Sequence, residues 1–250
     1  MPTPRLVGLS AGPDVITLVR HGESVANVAD ADAHRRQAER LDIDARDADV
    51  ELSPTGRDQA EALRDWLARA DPTQRPDVVI SSPFRRAADT ARIVVEGLGL
   101  ELLLDERLRE RGLGIFDGLT GRGIRAAHPH EAEQRTKVGK FYYAPPSGES
   151  WADVVLRVRS LLGDLRHGFE GARVWMFTHQ AVIMSFRYVL EGLDEERLLE
   201  IDATSRVANV SLSTWARKDG ELRAEVFGDA SIVDAADAEV TREQTASAHG

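Results

Sequence analysis

The stretch ITLVRHGES, Ile16–Ser24, decides how the rest of the sequence is interpreted. It begins as a short apolar run, which favours a strand buried on both faces of a parallel sheet, although a buried helix can show the same short pattern. The run ends in Arg20 and His21, and Gly22 then lets the backbone turn into a helix whose N-terminus favours anions. A lone histidine at a strand end is usually structural, and an adjacent arginine is usually a salt-bridge partner. The interpretation therefore depends on whether the pattern recurs.

Two other apolar runs end in polar residues in the same way. Residues 77–81 (DVVIS) lead to Arg86, and residues 173–178 (RVWMFT) lead to His179. Ligands bind beyond the carboxyl ends of the strands in open parallel sheets. If the three strands are neighbours, two arginines and two histidines meet in one crevice. Such a positive pocket in an acidic chain suits a phosphate dianion, which arginine binds with a bidentate fork.

Helical patterns lie between the predicted strands. Thr55–Asp58 and Ser150–Asp153 are typical of capping boxes, and the first opens a predicted helix that runs to about Ala70. Further helices are predicted over Arg86–Val95 and Ala181–Leu190. Because strands alternate with helices, the sequence predicts an α/β fold of βαβ units with a mostly parallel central sheet.

The chain has 250 residues, a length that fits one large α/β domain or two small ones. No linker divides it, so a single domain is predicted over residues 14–228. Residues 1–13 contain prolines and glycines and are interpreted as a ragged lead-in. Residues 229–250 are rich in Ala, Asp, Glu, Ser and Thr, which predicts a flexible C-terminal tail.

Composition excludes several classes of function. The formal net charge of −10 at pH 7 disfavours non-specific binding of nucleic acid. The absence of cysteine excludes disulfides, thiolate metal sites and cysteine nucleophiles, and it suits a reducing compartment. There is no apolar run of about 18 residues, which predicts no membrane span, and no signal-peptide pattern, which leaves a cytoplasmic location as the default. A homodimer is compatible with the sequence, which does not give the oligomeric state.

Four blocks of the sequence, in order, resemble the histidine phosphatase superfamily, also called the phosphoglycerate mutase-like fold. They are LVRHGES (18–24), SSPFRRAADTA (81–91), LRERGLGIFDGLT (108–120) and THQAV (178–182). The resemblance covers roughly residues 14–216. It implies a three-layer α/β/α sandwich and an enzyme that needs neither cofactor nor metal.

The resemblance also implies roles for individual residues. His21 would be a nucleophile that takes up the phosphoryl group, which divides one hard hydrolysis into two easier steps. Arg20, Arg86 and His179 would clamp the phosphoryl oxygens. Glu110 would protonate the leaving oxygen and then help to activate water. The implied substrate contacts nearest the phosphate are Ser24, Asn27 and the backbone at Gln180.

Within the superfamily, FYYAPPSGESWADVVLRV (141–158) resembles the fructose-2,6-bisphosphatase domain and broad-specificity phosphatases more than the glycolytic mutases. Lys140 matches a position that binds a distal phosphate, and Arg135 lies near another. Met184 stands where the bisphosphatase has an arginine, which argues against strict specificity for that substrate. Tyr142 could line the pocket or pack between helix and sheet, and Glu149 could be a second acidic residue at the pocket mouth or a helix-start carboxylate.

The leading hypothesis is therefore a metal-independent phosphomonoester hydrolase that acts through a phosphohistidine on a small phosphorylated metabolite. The alternatives are a 2,3-bisphosphoglycerate-dependent phosphoglycerate mutase, a catalytically inactive phospholigand-binding protein and a metallohydrolase. His128 and His130 could suggest metal ligation, but Pro129 between them favours an exposed turn. The loops around residues 28–50 and 121–147 are expected to set the physiological substrate.

Overall fold

A six-stranded sheet, in the order β3-β2-β4-β1-β5-β6, forms the centre of the protein in a computed structural model that describes residues 11–243. The strands are β1 (Val15–Arg20), β2 (Val78–Ser81), β3 (Leu102–Leu104), β4 (Arg173–Thr178), β5 (Leu212–Lys218) and β6 (Glu221–Asp229). The helices are α1 (Val25–Arg35), α2 (Pro54–Arg69), α3 (Arg85–Val95), α4 (Gly121–Ala127), α5 (Pro129–Val138), α6 (Trp151–Gly168), α7 (Gln180–Glu191), α8 (Glu195–Thr204) and α9 (Ser231–Ala235).

The sheet is mostly parallel, as the sequence predicts. β3, β2, β4 and β1 run parallel, whereas β5 pairs antiparallel with β1 and with β6. The three predicted strands are β1, β2 and β4, the buried centre of the sheet. The predicted strands do not include β3, β5 and β6. β3 is apolar but only three residues long, and exposed polar residues interrupt the apolar pattern of β5 and β6.

Helices cover both faces of the sheet, which confirms the α/β/α layering. Ile16 and Leu18 of β1 point into a core with α6, α7 and α8, while Val19 points into a second core with α2 and α3. Successive side chains of a strand alternate between its faces, so one apolar strand supplies both cores. The family-defining ends of β1, β2 and β4 are thus fixed between two packed layers.

Two helix starts can be compared with their predicted caps. Ser150 and Asp153 form the predicted capping box of α6. The predicted box at Thr55–Asp58 is wrong in position: Ser53 caps α2 by accepting a hydrogen bond from the Gly56 N–H, and Pro54 is the first helical residue. Proline suits this place because the first N–H of a helix has no partner within the helix.

The predicted flexible tail is wrong for residues 229–243. β6 continues to Asp229, α9 follows, and Val233 is fully buried against the core that contains α2. Ile232, Ala238 and Val240 pack on the same core. A few spaced apolar side chains are enough to dock the segment, and its polar composition hid them. Residues 231–243 are called the C-terminal strap below, while residues 244–250 of the predicted tail and 1–10 of the predicted lead-in lie outside the described residues.

Across residues 11–243, no helix is long and apolar enough to cross a membrane.

Candidate active site

The carboxyl ends of β1, β4 and β2 meet at one edge of the sheet. Arg20 pairs with Thr178 across β1 and β4, and Ser81 pairs with Phe177 across β2 and β4. The next residues on β1 and β4 are His21 and His179, whose ring centroids lie 5.0 Å apart. The structure therefore brings together the polar residues that follow the three strands.

His21 is held in one tautomer. Its Nδ1 lies 2.7 Å from the Gly22 carbonyl oxygen, and Arg86 Nε donates to its Nε2 at 3.3 Å. The proton is therefore on Nδ1, and Nε2 carries the lone pair. Burial lowers the pKa of His21 well below its usual value, the charges of Arg86 and Arg20 add to this effect, and the Gly22 carbonyl opposes it. A neutral imidazole that carries its lone pair on Nε2 is the form that can attack phosphorus.

Gly22 is required for a close approach as well as for the turn. A Cβ built on Gly22 would lie 2.5 Å from the Gly56 carbonyl oxygen at the start of α2. The Gly22 N–H donates to Thr90 Oγ1 of α3 at 2.9 Å. The backbone after His21 is thus wedged between α2 and α3, which fixes the position of the imidazole.

The two arginines are anchored from outside the strands. Arg20 is fully buried and its Nη1 donates to the Val207 carbonyl oxygen at 2.5 Å. Arg86 lies on the first turn of α3, and its Nη1 contacts both the carbonyl and a carboxylate oxygen of Asp47, at 2.6 and 2.8 Å. Each guanidinium is therefore oriented by a contact with a loop.

His179 stands at the start of α7. Its Nε2 lies 2.9 Å from Ser82 Oγ, and its buried Nδ1 has no hydrogen-bond partner among the described residues. Burial lowers the pKa of His179 well below its usual value, and the charges of Arg86, His21 and Arg20 act in the same direction. A bound dianion would supply the missing negative charge and raise both histidine pKa values.

Glu110 is the acidic residue of the site. One oxygen accepts a hydrogen bond from the Arg111 N–H at 2.8 Å, and the other accepts from the Ala181 N–H of α7 at 3.4 Å. Burial raises the pKa of Glu110, against the effect of the Arg111 N–H. The carboxyl group therefore retains its proton to a higher pH than an exposed glutamate, as a general acid must.

The loop that carries Glu110 is held by Glu149 and Arg157. Arg157 donates to the Glu110 carbonyl oxygen at 3.2 Å and pairs with Glu149, which also accepts from the Gly112 N–H at 2.9 Å and from Arg109 at 2.6 Å. Burial opposes ionisation of Glu149, but the bonds from Arg157 and Gly112 outweigh it and lower the pKa. In this structure Glu149 fixes the loop beside Glu110.

Three residues expected to contact the phosphate form the hydrogen bonds of their side chains within the protein. Ser24 caps α1, and its side chain is bonded to Asn27. Asn27 Nδ2 donates to Glu243 of the C-terminal strap at 3.0 Å. The Gln180 side chain donates to Asp202 at 3.3 Å and accepts from the Val207 N–H at 3.1 Å, so it supports the loop that anchors Arg20.

A second group of cations lies next to Glu110. Lys140 Nζ lies 3.2 Å from Asp202 Oδ2, and both Lys140 and Arg111 stack on the Trp151 ring. Burial lowers the pKa of Lys140, and the nearby charges of Arg135 and Arg111 contribute in the same direction. Lys140 thus pairs with Asp202 in a region where the charges of Arg111 and Arg135 are also felt. This group of Arg111, Arg135, Lys140 and Asp202 is called the basic cluster below.

Tyr142 does not line this pocket. Its ring is 56% exposed and its hydroxyl donates to Glu195 on α8. The adjacent Tyr143 is the buried member of the pair and donates to Glu131 at 2.6 Å. The backbone at 142–143 directs the first tyrosine outwards, so the expectation for Tyr142 is wrong.

Among residues 11–243, the histidines at 128 and 130 belong to no cluster of possible metal ligands. His128 ends α4, Pro129 begins α5, and His130 is exposed beside Glu131. No cluster of three or more His, Cys, Asp or Glu side chains able to hold a metal ion occurs between residues 11 and 243.

Three residues of the site have no signal in the sequence, and a fourth, Ser82, has only a weak one. Asp47 and Asp202 lie in charge-rich segments where any carboxylate looks solvated, Ser82 is one of two serines after β2, and Glu243 falls in the predicted tail. Only the Ser-Ser pair could have been noticed, because it precedes the arginine block.

Fold and site together define an enzyme class that transfers phosphoryl groups through histidine. The sequence profile of the histidine phosphatase superfamily (branch 1) matches residues 16–230, and this chain belongs to that family. The chain is thus an enzyme, a histidine phosphatase, with phosphatases among its relatives.

Three relatives illustrate the similarity. Phosphoglycerate mutase-like protein 4 of Arabidopsis thaliana is 30% identical over 218 residues, 86% of this chain and 85% of that protein. Glucosyl-3-phosphoglycerate phosphatase of Mycobacterium tuberculosis is 36% identical over 154 residues, 60% of this chain and 59% of that protein. A solved mycobacterial glucosyl-3-phosphoglycerate phosphatase in complex with VO3 superposes with a TM-score of 0.68 at 28% identity, over 86% of this chain and 98% of that one.

Proposed function

We propose that the chain hydrolyses phosphomonoesters of small metabolites through a phosphohistidine on His21. The observation that carries this proposal is the Nε2 lone pair of His21, held beside Arg86 in the same crevice as a carboxyl group with a raised pKa. A nucleophile and an acid are thus both present in the protonation states that the first step needs.

In the first step, His21 Nε2 attacks phosphorus, and the P–N bond forms as the ester P–O bond breaks. The Glu110 carboxyl group gives its proton to the leaving oxygen, so the product departs as an alcohol. Arg20, Arg86 and His179 balance the charge on the phosphoryl oxygens during transfer. The fixed tautomer of His21 means that no rotation of the ring precedes attack.

In the second step, water attacks the phosphohistidine. The Glu110 carboxylate takes a proton from that water, the P–N bond breaks, and inorganic phosphate leaves with the imidazole restored. Glu110 thus returns to its protonated form and the cycle closes.

The basic cluster supports substrates with a second acidic group close to the phosphate. Lys140 pairs with Asp202 at 3.2 Å, and the charges of Arg135 and Arg111 act on Lys140 from the same region. A phosphoglycerate carries such a group, its carboxylate, and the mycobacterial relatives are named glucosyl-3-phosphoglycerate phosphatases. We therefore propose phosphorylated acids, including sugar phosphoglycerates, as the first substrates to test.

The test is a screen of phosphorylated metabolites that measures phosphate release in EDTA. Release from several esters, fastest from phosphorylated acids, is expected, and loss of activity in EDTA would favour a metallohydrolase. A parallel enolase-coupled assay with 2,3-bisphosphoglycerate detects the mutase alternative. Isomerisation of phosphoglycerates faster than phosphate release would overturn the proposal.

We also propose that the protein is located in the cytoplasm and forms a homodimer. The lack of cysteine suits a reducing compartment. Light scattering of the purified chain tests the dimer, and fractionation of the source cells tests the location.

A further inference from the structure

An acidic side chain from the C-terminal strap already lies in the phosphate site. Glu243 Oε1 is 2.6 Å from Arg20 Nη2 and accepts a hydrogen bond from Asn27 Nδ2 at 3.0 Å. These are two of the groups expected to contact a phosphoryl oxygen. The charge of Glu243 also raises the pKa of Glu110, in addition to the effect of burial, so it acts inside the catalytic crevice.

The strap is anchored immediately before Glu243. Gln59 Nε2 donates to the Glu239 carbonyl oxygen at 2.6 Å and to Thr241 Oγ1 at 2.9 Å. The Asn209 N–H donates to the Thr241 carbonyl oxygen at 3.0 Å, and Asn209 Nδ2 donates to the His21 carbonyl oxygen at 2.9 Å. The strap therefore binds to the same asparagine that holds the backbone of the nucleophile.

This anchoring keeps the carboxylate at high local concentration near Arg20. A tethered group competes at an effective concentration that reaches the millimolar range for short links. A single residue, Arg242, separates Glu243 from its nearest anchor, Thr241. A carboxylate so placed occupies the site unless a stronger anion displaces it.

The contact can also be broken without unfolding the strap. Arg20 is fully buried, but the Glu243 side chain is 33% exposed, and Arg20 and Asn27 are its polar contacts. The apolar docking of the strap lies further back, at Val233 and its neighbours. A phosphate dianion has more charge and more oxygens than a carboxylate, so it forms the stronger contacts with two arginines.

We propose that Glu243 is a built-in competitor for the phosphate site and sets the apparent affinity of the enzyme for phosphorylated ligands. Its carboxylate leaves Arg20 and Asn27 when a phosphoryl group binds, and it returns when phosphate departs. The proposal rests on the proposed function in one respect, that this crevice binds phosphate.

Apparent affinity falls in proportion to the fraction of molecules in which the site is free. A strap that is closed in nine molecules of ten would thus weaken phosphate binding about tenfold. Removing the competing charge should restore that affinity. A residue with a purely structural role would instead change the melting temperature and leave the affinity unchanged.

The experiment compares Glu243→Gln with Glu239→Gln in the full chain. Both variants remove one negative charge from the strap, but the Glu239 side chain is exposed and only its backbone is bonded to Gln59. Calorimetric titration with inorganic phosphate and with vanadate gives the dissociation constants. Glu243→Ala is included because a glutamine could keep the bond from Asn27.

We expect phosphate to bind Glu243→Gln and Glu243→Ala about tenfold more tightly than the wild type, with Glu239→Gln unchanged. KM for an active phosphomonoester should fall by the same factor. Equal dissociation constants in all four proteins would overturn the proposal. Weaker binding in the Glu243 variants would also overturn it, since Glu243 would then assist the ligand.

The binding data separate this inference from the proposed function. If phosphate binds but no ester is hydrolysed, the proposed hydrolysis fails and the affinities still decide the role of Glu243. If no variant binds phosphate, the competitor proposal falls together with the phosphate site.

Discussion

The strand ends and the C-terminal strap reach the same crevice by different means. His21 and His179 follow paired strands at the centre of the sheet, so their separation is fixed by backbone hydrogen bonds and by two packed cores. Glu243 reaches Arg20 at the end of a segment held by a few side chains. The first region is rigid and suited to chemistry, while the second can exchange. Substitutions at the strand ends should therefore mainly reduce turnover. Substitutions in the strap should change the affinity for phosphate and the stability of the fold.

The largest effect is expected for His21→Ala. Losing the nucleophile should reduce turnover by at least about 10⁴-fold, since the phosphohistidine can no longer form at position 21. Brief incubation with labelled substrate, followed by a denaturing gel, should show acid-labile label on the wild type and none on His21→Ala. His167→Ala, on the exposed end of α6, is the matched control and should keep its label. Acid-stable label would place the phosphoryl group on another residue.

The next effect is expected for Glu110→Gln. A glutamine cannot donate the proton, so hydrolysis of alkyl phosphates should slow by about 10²- to 10⁴-fold. An activated aryl phosphate, whose leaving group hardly needs a proton, should lose much less. Steady-state rates on a series of leaving groups measure this difference. Equal losses across the series would mean that Glu110 only positions the phosphate.

The pH profile gives an independent test of the same residue. Burial raises the pKa of Glu110, so the acid form persists above the usual range and is lost as pH rises through the raised value. Burial lowers the pKa of His21, so the nucleophile is lost only as pH falls below the usual range of histidine. Alkyl phosphate hydrolysis should therefore show an alkaline limb that Glu110→Gln lacks. An alkaline limb that persists in the variant would assign it to another group.

A smaller effect is expected at the basic cluster, which lies beside the strand ends. Lys140→Met should raise KM for a phosphorylated acid by about 10- to 100-fold, the range for one hydrogen bond to a charged group. KM for an aryl phosphate whose aryl group carries no charge should hardly change. Lys137→Met, which removes an exposed lysine from the end of α5, is the control. Equal changes of KM for both esters would show that Lys140 does not recognise the second acidic group.

The same contrast explains what the sequence could predict. The strand ends are local patterns: an apolar run, then Arg20 and His21, repeated at Arg86 and His179, so they point to the crevice and its place at the sheet edge. The partners Asp47, Asp202 and Glu243 are distant in sequence and identical in type to many solvated carboxylates. The Tyr142 expectation is wrong because neighbouring tyrosines differ only in the direction of their side chains. Such contacts depend on how a loop folds back onto the site, so they leave no local pattern in the sequence.

The smallest effect is expected for Val233→Ala in the strap. This variant tests whether the segment after Asp229 is docked on the domain or forms the predicted flexible tail. Val233 is fully buried against α2 and α3, so the change removes two methyl groups from a core and should cost about 1.6 kcal/mol. For a domain of this size that corresponds to a fall in melting temperature of about 3 to 6 °C.

Leu156→Ala is the matched control, because Leu156 is 64% exposed on α6 and its truncation should leave the melting temperature nearly unchanged. Differential scanning calorimetry in the absence of phosphate measures both variants against the wild type. If Val233→Ala melts like the control, the segment after Asp229 does not dock. Glu243 would then lack the anchored strap that holds it near Arg20. A fall in melting temperature for Val233→Ala alone would show that the strap belongs to the folded domain. Glu243 can compete with phosphate only under that condition.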